Sequence, residues 1–116
     1  MHNPYLQIQT NVDVAPEQEA SLLANASQIV AKALGKSENY VMVALQANTP
    51  MLFAGTDQAT AFLVLKSLRL PTARTPDFSQ KLCSFIEDSL NIPKNRVYIE
   101  FVNADASLWG WDGRTF

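Results

Sequence analysis

The chain has 116 residues, 47% of them apolar and 17% charged, with a formal net charge of −2. That balance describes one folded domain with a substantial core and excludes a disordered chain. With no basic excess, it also excludes a charge-driven nucleic-acid or membrane-surface binder.

Met1-His2-Asn3-Pro4 shows neither the basic nor the apolar segment of a secretory leader, and none is expected. The first element is a strand entered through a proline, Pro4 to Val12. Its apolar residues run from Tyr5 to Ile8, with Gln7 and Gln9 on the opposite side. Pro16 suits the first position of a helix, with Glu17 and Glu19 at its positive end. Leu22, Leu23, Ala26, Ile29, Val30, Ala33 and Leu34 recur on one face, and Gly35 is the expected stop. Val41 to Leu45 reads as a strand, Asn48-Thr49-Pro50 as a turn, and Met51-Leu52-Phe53 as a short extra strand.

A further strand is expected from Thr60 to Leu65, running on towards Leu68. Its apolar run is far too short to span a bilayer. Thr75 is the expected cap of a second helix, with Pro76 at its first position and Asp77 beside it. Phe78, Leu82, Phe85, Ile86 and Leu90 form that helix's buried face, and Asn91 and Pro93 end it. Arg96 to Val102 is the last main strand, and the tail from Leu108 to Phe116 is unusually aromatic.

The chain repeats itself. Leu34-Gly35 followed by a strand from Asn39 matches Leu90-Asn91 followed by a strand from Asn95, and Ile29-Val30 falls on Phe85-Ile86. Two β-α-β halves follow, each expected to cross over right-handed between parallel strands. The fold class is α/β (α+β): a four-stranded mixed sheet with two helices on one face. Val41–Leu45 and Ala61–Leu65 are apolar at successive positions, so both sheet faces should be buried. Two helices cover only one of them, and a closed cyclic oligomer is expected to cover the other.

The usual chemical motifs are missing. There is no glycine-rich phosphate loop, no cysteine cluster and no histidine pair at metal spacing, so neither cofactor nor metal is expected. His2 is the only histidine, which argues against a Ser-His-Asp or Cys-His site. Cys83 is the only cysteine, so no intramolecular disulfide forms, and a reducing compartment fits. Beside Phe85 and Ile86, it reads as a packed thiol.

One ordered set of residues carries a family resemblance. It comprises Pro4 before a strand ending Thr10-Asn11-Val12, Leu34-Gly35-Lys36 with Tyr40 after it, and Pro50-Met51-Leu52-Phe53-Ala54-Gly55. It continues with Lys81-Leu82-Cys83, Arg96-Val97-Tyr98-Ile99 and Gly110-Trp111 ending in Thr115-Phe116. From Pro4 to Phe116 the chain resembles macrophage migration inhibitory factor and D-dopachrome tautomerase, the tautomerase superfamily. Residues 4–116 then form the single domain, and residues 1–3 an N-terminal extension.

The resemblance implies a homotrimer, cytokine-like in family, and a cofactor-free isomerase for phenylpyruvate-type or dopachrome-type keto acids. It implies a cytoplasmic location, with non-classical export and an unknown protein receptor left open. Pro4 matches the family's N-terminal proline base. A terminal amine titrates near ~8 and lower in an apolar pocket beside a cation, which suits a general base. Lys36 matches the lysine that holds the substrate carboxylate; alone it would read as a solvated residue after a helix end. Leu68 falls where a backbone N–H meets the substrate. Tyr98, Trp111 and Phe116 match the aromatic wall, partly donated across the subunit interface, though Phe116 reads equally well as packing. Tyr5 and Tyr40 fall at the rim.

The chain also departs from the family. Met1-His2-Asn3 precedes Pro4, and while it stays the Pro4 nitrogen is an amide with no basic lone pair. Glu100 replaces an asparagine of the vertebrate pattern, and Trp109 stands at a small aliphatic position. Thr60-Ala61-Phe62-Leu63 replaces the family's Cys-x-x-Cys, which discounts thiol redox chemistry. Two readings therefore stand: a tautomerase, or a non-catalytic binding or signalling module with its proline masked.

Overall fold

The computed structural model describes residues 3–116, so His2 lies outside the described residues. The main elements are β1 (Tyr5–Thr10), α1 (Pro16–Leu34), β2 (Met42–Gln46), β3 (Ala61–Leu68), α2 (Thr75–Leu90) and β4 (Val97–Ala104). The sheet order is β2-β1-β3-β4. β1 runs parallel to β2 and β3 parallel to β4, while β1 and β3 meet antiparallel in the middle. This is the mixed four-stranded sheet of two β-α-β halves that the repeat predicts.

The register divides the sheet into two faces. Leu6 lies beside Val43 and Leu65, and Leu65 beside Phe101; Ile8 lies beside Leu45 and Leu63, and Leu63 beside Ile99. All of them belong to the core, with Leu22, Ala26, Val30 and Leu34 of α1 and Phe78, Leu82, Phe85, Ile86 and Leu90 of α2. The buried set of α2 is the one its periodicity predicts. On α1, Leu23 is only half-buried, and Ala31 takes a buried place the pattern did not assign.

Both helices stop as expected. Gly35 (φ 64) and Asn91 (φ 60) adopt the left-handed conformation, which glycine and asparagine reach at least cost. Two expectations need correction. Thr75 does not cap α2: it is the first helical residue, and its hydroxyl donates to the carbonyl of Thr72 in the preceding turn (3.2 Å). Met51–Phe53 is not a strand. Phe53 and Thr56 exchange two backbone hydrogen bonds (3.0 and 3.1 Å) across Ala54-Gly55, both left-handed, so the segment closes on itself.

Arg96 holds that loop, donating to the carbonyls of Ala59 (2.9 Å), Phe53 (3.1 Å) and Gln58 (3.1 Å) and covering the Phe53 ring. β2 is an edge strand, half-exposed or exposed throughout, so the chain by itself does not bury both of its faces.

Candidate active site

Pro4 opens β1 and is almost wholly buried. Its carbonyl accepts the N–H of Met42 (3.0 Å), which fastens the start of β1 to β2. Pro4 lies at a depression of about 600 Å³ shared with Tyr5, Asn39, Tyr40, Val41 and Met42. Asn3, Lys66, Trp109, Gly110 and Trp111 complete it. The stretches at the start of β1, at the start of β2 and on β3 converge here because β1 pairs with β2 on one edge and β3 on the other.

The aromatic tail reaches the depression through local chemistry. Asp105 Oδ1 accepts the backbone N–H (3.0 Å) and the hydroxyl (2.9 Å) of Ser107, closing the turn before Trp109. The backbone bond, then the hydroxyl bond, holds the Asp105 carboxyl below its ordinary pKa. β5 (Gly110–Trp111) and β6 (Arg114–Thr115) then form a hairpin across Asp112-Gly113, both left-handed (φ 52 and 76). Phe116 stacks on Trp111 with ring centres 5.9 Å apart and planes 11° apart, and Arg114 lies 4.9 Å from the Trp111 ring centre. The Asp-Gly pair was a readable hairpin signal that the sequence reading passed over.

Of the residues proposed from sequence, Pro4, Tyr5, Tyr40 and Trp111 share this cavity. Phe116 borders it only through its stack on Trp111. Lys36, Leu68 and Tyr98 do not line it. Lys36 is half-buried after α1, its N–H bonded to the carbonyl of Ala31 (2.8 Å). The Leu68 side chain is buried. Tyr98 is 63% exposed and packs on Phe53, with ring centres 4.8 Å apart. Through Phe62 it registers with Gln9, four residues along β1 from Tyr5, or about 13 Å at the rise of a strand. One chain therefore cannot bring its own Tyr98 to its own Pro4.

Trp109, which departs from the family pattern, also lines the cavity. Lys66, Met42 and Asn39 were missed. For Lys66 a signal existed: it is the only charged residue in a strand that is apolar apart from it and Ser67. The cavity also holds Asn3, left-handed (φ 47) and only 8% exposed. Its Oδ1 is buried without a hydrogen-bond partner among the described residues. A groove of about 440 Å³ between the helices, lined by Ile29, Ala33 and Phe85, gathers none of the proposed site residues.

The profile of the family "Macrophage migration inhibitory factor (MIF)" matches residues 3–116. The chain belongs to this family. A MIF homolog from Brugia malayi is 40% identical over 116 residues, covering 97% of this chain and 98% of that protein. The crystal structure of a MIF homologue from Prochlorococcus marinus superposes with a TM-score of 0.90 at 41% identity, covering 97% of this chain and 98% of that one. MIF from Trichinella spiralis superposes with a TM-score of 0.90 at 34% identity, covering 97% and 99%. The MIF profile begins one residue before Pro4, so membership spans the whole sheet and the aromatic tail. It brings with it the general tautomerase fold.

Proposed function

We propose that this chain is a cofactor-independent keto–enol tautomerase of phenylpyruvate-type or dopachrome-type substrates, with Pro4 as general base once it stands first in the chain. The observation that carries this reading is the position of Pro4 in an aromatic-walled cavity of a MIF-family fold. A free proline amine would take the proton alpha to the substrate carbonyl. The C–H electron pair moves into the new carbon–carbon double bond, and a proton on the former carbonyl oxygen completes the enol. No electrons leave the substrate, so no redox partner is needed. Tyr5, Tyr40, Trp109 and Trp111 offer faces for an aromatic ring.

The reading extends to a homotrimer. Tyr98 is remote from Pro4 in its own chain, and β2 exposes apolar Met42 at the sheet edge. A neighbouring copy would supply a Tyr98 and cover that edge. Light scattering at micromolar concentration should give three times the chain mass; a stable monomer overturns the trimer.

The rival is a binding module, favoured by one observation. With Asn3 in place, the Pro4 nitrogen is a buried tertiary amide and cannot accept a proton. The two readings separate in one comparison, between a chain beginning at Pro4 and the chain beginning at Met1, each terminus verified by mass spectrometry. The Pro4 chain should tautomerise phenylpyruvate faster by at least the ~10²-fold credited to a positioned general base. Its rate should fall in acid as the amine is protonated. Equal rates with equal pH profiles would remove Pro4 from catalysis and leave the binding module standing.

A further inference from the structure

We propose that the Asn3–Pro4 peptide bond is a self-cleavage site. The Asn3 carboxamide attacks its own main-chain carbonyl, the chain breaks there, and Pro4 becomes the first residue. This deepens the reading of Pro4 as a base, by supplying a route from a masked amide to a free amine, without depending on it.

Asn3 is the only asparagine of the chain that is followed by proline. An asparagine is ordinarily attacked at its side-chain carbonyl by the main-chain nitrogen of the next residue, which expels ammonia and leaves the chain intact. The Pro4 nitrogen carries no hydrogen, so that path is closed at Asn3. The reverse attack stays open. Asn3 Nδ2 adds to the main-chain carbonyl carbon of Asn3 and closes a cyclic imide through Cγ, Cβ and Cα. The bond from that carbon to the Pro4 nitrogen breaks. Nδ2 sheds one proton and the Pro4 nitrogen gains one, becoming a secondary amine. No water is consumed, and nothing is oxidised or reduced.

The fold readies this bond from both sides. Asn3 is left-handed (φ 47), a conformation that costs a residue with a side chain and that the cut releases. Its side chain is buried, and Oδ1 has no hydrogen-bond partner among the described residues. By contrast, the Oδ1 atoms of Asn11 and Asn103 accept the N–H groups of Thr60 (2.9 Å) and Leu70 (3.0 Å). No bond to its oxygen has to break before the Asn3 carboxamide turns. Left-handed Asn48 and Asn91 precede Thr49 and Ile92, which keep their N–H, so no cut is expected there. On the leaving side, Pro4 is almost wholly buried and its carbonyl accepts the N–H of Met42 (3.0 Å). β1 begins at Tyr5, so the cut removes no strand residue. Attacking atom and attacked carbonyl belong to one residue, so a neighbouring copy need contribute no atom.

The test follows the intact mass of the full chain through purification and incubation at neutral pH and physiological temperature. The folded chain should lose the residues through Asn3 and leave a chain beginning at Pro4. The released peptide, sampled early, should be one water lighter than a hydrolytic fragment of the same sequence, because it ends in the cyclic imide. Asn3→Ala lacks the nucleophile and should stay whole over the same time. Asn3→Gln needs a ring one atom larger, and the wild-type chain in urea loses its hold on Asn3; each should cut about tenfold more slowly or less.

Four results would overturn the proposal: a wild type that keeps Met1 throughout, loss of the same residues from Asn3→Ala, a released peptide with a full carboxylate from the first sample, or equal rates in the folded and urea-unfolded chain. Should Asn3→Ala fail to fold by circular dichroism, Asn3→Gln is read in its place, and a rate equal to wild type overturns the proposal. Mass reports the cut and absorbance reports turnover, so the two readings fail separately. A chain cut at Pro4 that does not tautomerise phenylpyruvate refutes the catalytic reading alone. A chain that stays whole, yet is active when made to begin at Pro4, refutes self-cleavage alone.

Discussion

The two faces of the sheet come from the same four strands and differ in what completes them. On the helix-covered face, Leu6, Ile8, Leu63 and Leu65 are sealed by residues of α1 and α2 from within the chain. On the other face stand Tyr5, Gln7 and Gln9 of β1, Lys66 of β3, and Tyr98 and Glu100 of β4, none of them buried. The first face gathers the free energy of folding. The second mixes aromatic, amide and charged groups, and the Pro4 cavity opens at its end. Binding chemistry sits where the chain's own packing stops.

Truncating one aromatic residue on each face tests that division most severely. Phe78 is 1% exposed, and Phe78→Ala should lower stability by about 3–5 kcal/mol through lost burial and the cavity left behind. Tyr98→Ala should change the stability of the fold by no more than about 0.5 kcal/mol. Urea unfolding measures both, and equal losses would erase the distinction between the faces.

The next effect lies at the sheet end opposite Pro4. Arg96→Met removes the donor shared by the carbonyls of Phe53, Gln58 and Ala59. A loss of about 1–3 kcal/mol is expected from unpaired backbone acceptors, with faster amide exchange confined to residues 53–59. Protection unchanged in that loop would show that its own turn holds it. Smaller again is Gly35→Ala. At φ 64 a Cβ meets nothing within 4 Å, so the cost is purely conformational, about 1 kcal/mol by thermal unfolding.

The smallest effect is electrostatic and belongs to the outer surface of α2. Asp77 bonds Lys81 (3.1 Å) and Arg74 (3.1 Å), and these partners, Lys81 foremost, hold its carboxyl below the ordinary value of 3.8. A carboxylate with a lowered folded-state pKa adds stability above its unfolded pKa and loses it as pH falls through the folded value. Asp77→Asn should therefore flatten the acid limb of the stability profile slightly below pH 3.8 and change little at neutral pH. A large neutral-pH loss would mean that Asp77 has a structural role beyond its ion pairs.

What could be read from the sequence was what depends on near neighbours along the chain. Helical spacing marked Phe78, Leu82, Phe85, Ile86 and Leu90 for burial, and Gly35 and Asn91 ended helices because their side chains tolerate the left-handed turn. The repeat of these signals set the two halves, and the family pattern singled out Pro4. Tertiary structure decided what depends on pairing between distant segments. Met51–Phe53 has strand-forming residues but folds back on Thr56. The sequence shows a lysine in an apolar strand; only the antiparallel register of β1 and β3 puts that lysine opposite Tyr5. The same register carries Tyr98 away from Pro4. A strand's composition says that it will pair, but its register is chosen by which side chains the whole core can bury, and no local window contains that information.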